Sequence, residues 1–114
     1  MSLKLVAVTA CISGVAHTYM AAERLEKLSA QEKWQVKVET QGALGIENLL
    51  SESDIAQADI VLLVTEIQLE NRERFAHSRC VQTGMHTFLR TPEKVMAAVK
   101  KIATSPQGTQ IVLP

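Results

Sequence analysis

The sequence predicts a single α/β domain, a four-stranded parallel sheet with helices on both faces. Three observations carry that expectation. Short apolar, partly β-branched runs alternate with segments of helical period, the pattern of strands joined by crossover helices. The clearest run, Asp59-Ile60-Val61-Leu62-Leu63-Val64-Thr65, is apolar on both faces, as a strand inside a parallel sheet must be. The length of 114 residues suits one domain, and its composition (46% hydrophobic, 21% charged) supplies a core that needs no disulfide staples.

Taken in order, Leu5-Val6-Ala7-Val8-Thr9 reads as the first buried strand. A loop from Cys11 to Gly14 leads to a helix over Ala16 to Leu28. Ala21, Leu25 and Leu28 form that helix's apolar stripe, and Glu23 with Lys27 makes an i,i+4 pair on its wet face. Val36-Lys37-Val38-Glu39 alternates as a second strand and runs into a turn at Thr40-Gln41-Gly42. Ile46 to Leu50 is expected to begin a short helical piece, and Ser53-Asp54-Ile55 to open another. After the strand at 59–65, Arg72-Glu73-Arg74-Phe75 reads as a short helix or turn, and Arg79-Cys80-Val81-Gln82 as a weak fourth strand. Thr91 as N-cap, Pro92 at the first helical position and Glu93 in the first turn start a last helix, buried through Val95, Val99 and Ile102. The domain core is expected over about 3–103. Residues 104–114 read as a tail, and its apolar run Ile111-Val112-Leu113 has no assigned role.

Such an arrangement is a three-layer sandwich of flavodoxin or Rossmann type. Ligands in these sheets bind beyond the carboxyl ends of the strands, where the strand order reverses. The loop after the first strand is the usual candidate, and here it contains Cys11. Cys11-Ile12-Ser13-Gly14-Val15-Ala16-His17-Thr18 leaves a strand and enters a helix. Its small residues let backbone N–H groups turn inward, and Gly14 permits a tight turn. The helix start adds partial positive charge, worth up to about 2 kcal/mol for a well-placed anion. That field suits a phosphoryl group and favours thiolate over thiol at Cys11. On the residues alone, a second reading stays open: a small buried cysteine beside an ordinary turn. His17 likewise has two readings, a hydrogen-bond donor to a phosphate oxygen or a helix-start residue on the apolar side, one turn before Ala21.

Several classes are disfavoured. Twelve Lys plus Arg balance twelve Asp plus Glu, so no electrostatic footprint for nucleic acid exists. Aromatics are too scarce, at 4%, for a stacking platform. Residues 5–22 lack Asp, Glu, Lys and Arg, but Thr9, Ser13, Gly14, His17, Thr18 and Tyr19 make a membrane span improbable there. Val8-Thr9-Ala10-Cys11 imitates a lipoprotein cleavage site, yet the apolar run ahead of it is too short for a signal peptide. A cytoplasmic location is therefore expected, without membrane insertion. Cysteine phosphatases carry Arg six residues after the nucleophile, where this chain has His17. His77, Cys80 and His86 fit no standard zinc spacing, so no metal is expected. Glu39, Thr40 and Gln41 either border the site or only form the turn, and a catalytic role is not expected of them. Arg72, Arg74 and Arg79 form a loose basic cluster, read mainly as a solvated face and otherwise as a contact for an acidic partner or the phosphoryl group.

The segment from Cys11 to Ala22 resembles the active-site segment of the fructose family of enzyme IIB components of the bacterial sugar phosphotransferase system. Val38-Glu39-Thr40-Gln41-Gly42-Ala43-Leu44-Gly45 resembles that family's second signature, and Ala58-Asp59-Ile60-Val61 and Arg74-Phe75 fall where it has similar residues. The resemblance covers about residues 3–103. It implies that Cys11 accepts a phosphoryl group from a histidine on an enzyme IIA partner and delivers it to a sugar bound by the membrane enzyme IIC. No cofactor is implied. His17 and Thr18 match the family's loop. Ile12 stands where the family usually has proline, Ser13 where many members have threonine, and Glu66 where aspartate is expected. Ile12 keeps a backbone N–H that proline would remove. Two alternatives remain beside this reading: a cysteine phosphatase or reductase on a similar fold, and a non-catalytic regulatory paralogue.

Overall fold

The computed structural model describes residues 3–10, 15–42, 45–65 and 72–113. The chain runs β1 (Lys4–Ala10), α1 (Val15–Gln31), β2 (Gln35–Gly42), β3 (Gly45–Glu47), α2 (Glu52–Gln57), β4 (Ile60–Thr65), a 3-10 turn (Arg72–Phe75), β5 (Cys80–Thr83), α3 (Met85–Arg90), α4 (Pro92–Ile102) and β6 (Gln110–Val112). The strand order is β3-β2-β1-β4-β5-β6.

The four strands expected from sequence are β2, β1, β4 and β5, and they are mutually parallel. The expectation of a four-stranded, purely parallel sheet is corrected at both edges. β3 pairs antiparallel with β2, where a helical piece was expected over Ile46 to Leu50. Gly45 at φ 94°, a backbone that a side chain would strain, lets the chain double back beside β2. At the other edge the expected tail supplies β6, which lies parallel to β5 with Cys80 opposite Gln110. The apolar run left without a role is that strand, and Ile111 packs on the core.

Period-2 alternation divides the sheet into two buried faces. On one, Leu5, Ala7, Leu62, Val64 and Val81 lie under Ala21 and Leu25 of α1, Phe88 of α3, and Val95, Val99 and Ile102 of α4. On the other, Val6, Val8, Ala10, Val61, Leu63 and Cys80 meet Leu50 and Phe75, with Ile55 and Ala58 of the α2 region packed alongside. Both faces are thus covered, unequally. Each fully buried Val, Leu or Phe contributes about 1.5–3 kcal/mol of transfer free energy, so the sheet is the main source of stability. In α1, Ala21 and Leu25 are buried, Leu28 is half-buried, and Glu23 and Lys27 face water.

The local signals hold only in part: Thr40-Gln41-Gly42, expected as a turn, is the end of β2, and among the described residues no ion pair joins Glu23 to Lys27. Ser51 and Asp54 form a reciprocal capping box at the start of α2. Thr91 occupies the N-cap of α4 with Pro92 first in the helix, but its hydroxyl makes no cap bond. Thr91 Oγ1 instead donates to the Thr87 carbonyl at 2.9 Å. The reason is that α3, which the sequence reading did not anticipate, ends directly before it, so Thr91 closes one helix while opening the next.

Candidate functional site

From β1 the chain moves outward to β2, then returns to β4 on the opposite flank of β1. The reversal creates a crevice beyond the carboxyl ends of β1 and β4. β1 ends at Ala10, level with Gln41 of β2 and Thr65 of β4. α1 starts at Val15, and the four residues between include Cys11, which directly follows Ala10 in sequence. Cys11, Ile12, Ser13 and Gly14 lie outside the described residues. Val15, Ala16 and His17 belong to the first turn of α1, with their side chains outside the described set. The 17-residue helix has no acidic residue in that turn, so its own first turn does not offset the positive end of its dipole. Its first N–H groups have no partner within the helix and face the end of the sheet.

Thr18 is the loop residue whose surroundings are described. It is buried, and its carbonyl accepts a hydrogen bond from Thr9 Oγ1 at 3.3 Å. Its own Oγ1 has no hydrogen-bond partner among the described residues. Behind it, Thr40, Thr9, Val64 and Thr83 stand in one register row across β2, β1, β4 and β5. The hydroxyls of Thr40 and Thr83 are buried and likewise have no partner among the described residues. Buried hydroxyls without a partner are costly, and Ser29 in the last turn of α1 is another, so it is the threonine content of this row that sets it apart from the apolar layers beneath it.

Sequence reasoning missed the strongest polar feature near this end. Glu39 is fully buried and takes four hydrogen bonds. Oε1 accepts from the Leu50 N–H at 2.9 Å and Arg74 at 3.0 Å; Oε2 accepts from Gln41 Nε2 at 2.8 Å and Arg74 at 2.6 Å. Burial pushes the Glu39 carboxyl up. The hydrogen bonds from Arg74, the Leu50 amide and Gln41 more than offset this, and the net shift is downward. The guanidinium lies over the Phe75 ring, 4.7 Å from its centroid. The available signal was the strand's alternation, which puts Lys37 and Glu39 on the same face. Lys37 reaches Asp54 at the surface, whereas Glu39, two residues further, is covered by Leu50 and the 3-10 turn.

The loose basic cluster is corrected too. Its three arginines do not form a solvated face: each ties separate segments together. Arg72 donates to Gln82 and Gln110 at 3.1 and 3.3 Å, Arg74 holds Glu39, and Arg79 donates to the carbonyls of Ser105 and Asp59 at 2.5 and 3.2 Å. His77 and His86 are exposed, while Cys80 is buried in β5. Burial pushes the Cys80 thiol up to about 11, with Arg72 opposing weakly.

A small α/β domain whose first strand-to-helix connection falls at the switch point of a largely parallel sheet belongs to the doubly wound class, which binds ligands at that end. Comparison with known proteins narrows the class. Residues 6–98 match the family model described as "PTS system, Lactose/Cellobiose specific IIB subunit". The chain is 61% identical over 109 residues, 96% of each protein, to "PTS system fructose-like EIIB component 3" of Escherichia coli (strain K12). It is 45% identical over 97 residues to "PTS system fructose-like EIIB component 2" of the same strain, covering 85% of this chain and 92% of the relative. A crystal structure of a "Predicted Fructose Specific IIB" from Escherichia coli superposes with a TM-score of 0.95 and 59% identity, covering 98% of this chain and 99% of that one. The chain belongs to the IIB family of the sugar phosphotransferase system, alongside the fructose-like EIIB components.

Proposed function

We propose that this protein carries a phosphoryl group on Cys11 between a phosphohistidine of an enzyme IIA protein and a fructose-like sugar held by a membrane enzyme IIC. In the first transfer the Cys11 thiolate attacks phosphorus, the S–P bond forms, and the N–P bond to imidazole breaks. In the second, a sugar hydroxyl attacks, the S–P bond breaks, an O–P bond forms, and the hydroxyl proton passes to solvent or a base on the acceptor. Both are in-line displacements, so the protein's task is positioning and charge stabilisation. Backbone N–H groups from Ile12 to Thr18 hold the phosphoryl oxygens, and the positive end of α1 lowers the cost of their charge. The Thr18 hydroxyl, and the ring of His17, add donors to the same oxygens. Neither step needs a metal or an organic cofactor, and the work is done on the cytoplasmic side, where the phosphodonor is.

One observation carries this reading: the only nucleophilic thiol in the β1–α1 connection follows the last residue of the central strand and precedes a long helix with no first-turn acid. A phosphatase reading lacks the Arg that would clamp the oxygens, since His17 occupies that place.

Intact-mass measurement tests the proposal. Wild type and Cys11→Ser are incubated with phosphoenolpyruvate, the general phosphotransferase proteins and a fructose-family IIA domain. One added phosphoryl group on wild type alone is expected. No addition with several competent donors, while a known IIB charges normally, would refute the carrier role. That outcome would indicate a regulatory paralogue and make Ile12 the first departure to reverse.

A further inference from the structure

The crevice where α3, α4 and the end of β6 meet has no part in the transfer chemistry above. It encloses about 290 Å³ and is lined by His86, Thr87, Arg90, Thr91, Lys94, Val95 and Leu113. Arg90 and Lys94 bring two fixed positive charges, His86 adds an imidazole at the rim, and among the described residues no Asp or Glu side chain lines the space. Glu93, the acid nearest in sequence, is exposed and outside the lining. The side chains of Arg90 and Lys94 enter no hydrogen bond or ion pair with any described residue, unlike Arg72, Arg74, Arg79, Lys37 and Lys100. Other cations without a hydrogen-bond or ion-pair partner among the described residues, such as Arg24, Lys27 and Lys101, stand on exposed helix faces outside this crevice.

The crevice also lies at the working end of the sheet. α3 begins immediately after β5 through Gly84, and the Leu113 N–H donates to the Gln82 carbonyl at 2.7 Å. β5 is two strands from β1, about 10 Å at the usual strand spacing.

We propose that this crevice is a second anion site, one that takes the phosphate monoester of a small polyol. The ligand class rests on the phosphoryl-transfer reading, because a phosphorylated sugar is what that reaction produces. The guanidinium fork of Arg90 and the ammonium of Lys94 grip the phosphate oxygens. Thr91 Oγ1, which already donates to Thr87, keeps lone pairs to accept from a sugar hydroxyl. Val95 and Leu113 provide the apolar wall usual in small-molecule sites.

Amide chemical-shift titrations on Cys11→Ser, which cannot form the phosphocysteine, test this separately from the carrier role. The probes are fructose 1-phosphate, fructose and inorganic phosphate. Saturable shifts at residues 86–95 with fructose 1-phosphate are expected, at least about tenfold weaker for either other probe, and at least about tenfold weaker in Arg90→Ala. Arg90→Ala on the Cys11 background should still accept a phosphoryl group at the wild-type rate. Absence of saturable shifts, shifts confined to residues 15–18, equal affinity for inorganic phosphate, or an Arg90→Ala affinity equal to wild type would overturn the proposal. Tighter binding of a polyglutamate peptide to the same residues would do so as well, assigning the crevice to an acidic protein partner.

Discussion

Replacing Arg74 by methionine leaves the fully buried Glu39 carboxylate with two of its four hydrogen bonds, those from Leu50 and Gln41. Removing one member of a buried pair typically costs about 3–5 kcal/mol, because the remaining charge is stranded. Arg74 retains 18% side-chain exposure, so water can enter in its place, and the low end of the range, about 3 kcal/mol, is expected. A domain of this length has about 6–17 kcal/mol of stability, so the variant should still fold. In urea, with a slope of about 1–3 kcal/mol/M, the midpoint should fall by about 1–3 M with the slope unchanged. The variant Glu39→Gln/Arg74→Met, which strands no charge, should lose less than the two single variants added together. The pH dependence has a definite sign. The folded Glu39 pKa is lowered, so the pair's contribution is complete above the unfolded value near 4.3 and is lost as pH falls through the folded one. The gap between wild type and Arg74→Met should therefore narrow in acid. A cost below about 1 kcal/mol at pH 7, or strict additivity of the two single variants, would refute the stranded-charge argument.

Two further outcomes follow from the same geometry. Iodoacetamide at pH 8 should leave Cys80 of the native protein unmodified, because burial holds its thiol near 11, and should alkylate both cysteines once urea unfolds the chain; native modification of Cys80 as fast as Cys11 would contradict this. Asp54 should titrate at about 2 by carboxyl NMR, held down first by the Lys37 ammonium and then by the Ser51 amide and hydroxyl, so its contribution persists above pH 4 and is lost between about 4 and 2; a midpoint near the ordinary carboxylate value would show that neither partner is engaged in solution.

Much of the site's frame was legible before any coordinates. The first strand, the helix over Ala21 and Leu25, and the strand at 60–65 each bury many residues in a regular period, so their patterns are strong. Two such elements joined by Cys11 to Gly14 locate the candidate nucleophile, and parallel strands confine it to the carboxyl end of the sheet. Glu39 was legible only as a residue near a turn. Alternation assigns it a face but not what covers that face, and its coverage comes from Leu50 and Arg74, eleven and 35 residues later. The arginines misled for the same reason: adjacency in sequence placed them together, while their acceptors at Asp59, Gln82 and Ser105 drew them apart.

The sequence by itself determined the α/β class, the four central strands, and the strand-to-helix position of Cys11, because these follow from local periodicity and from short-range capping and turn chemistry. Tertiary structure alone decided the edges and the polar network. β3 and β6 are three residues each, too short for a period to show, and exist only because β2 and β5 offer unpaired backbone groups to them. The Glu39–Arg74 pair and the row of threonine hydroxyls likewise arise from register between segments far apart in the chain, which no local pattern encodes.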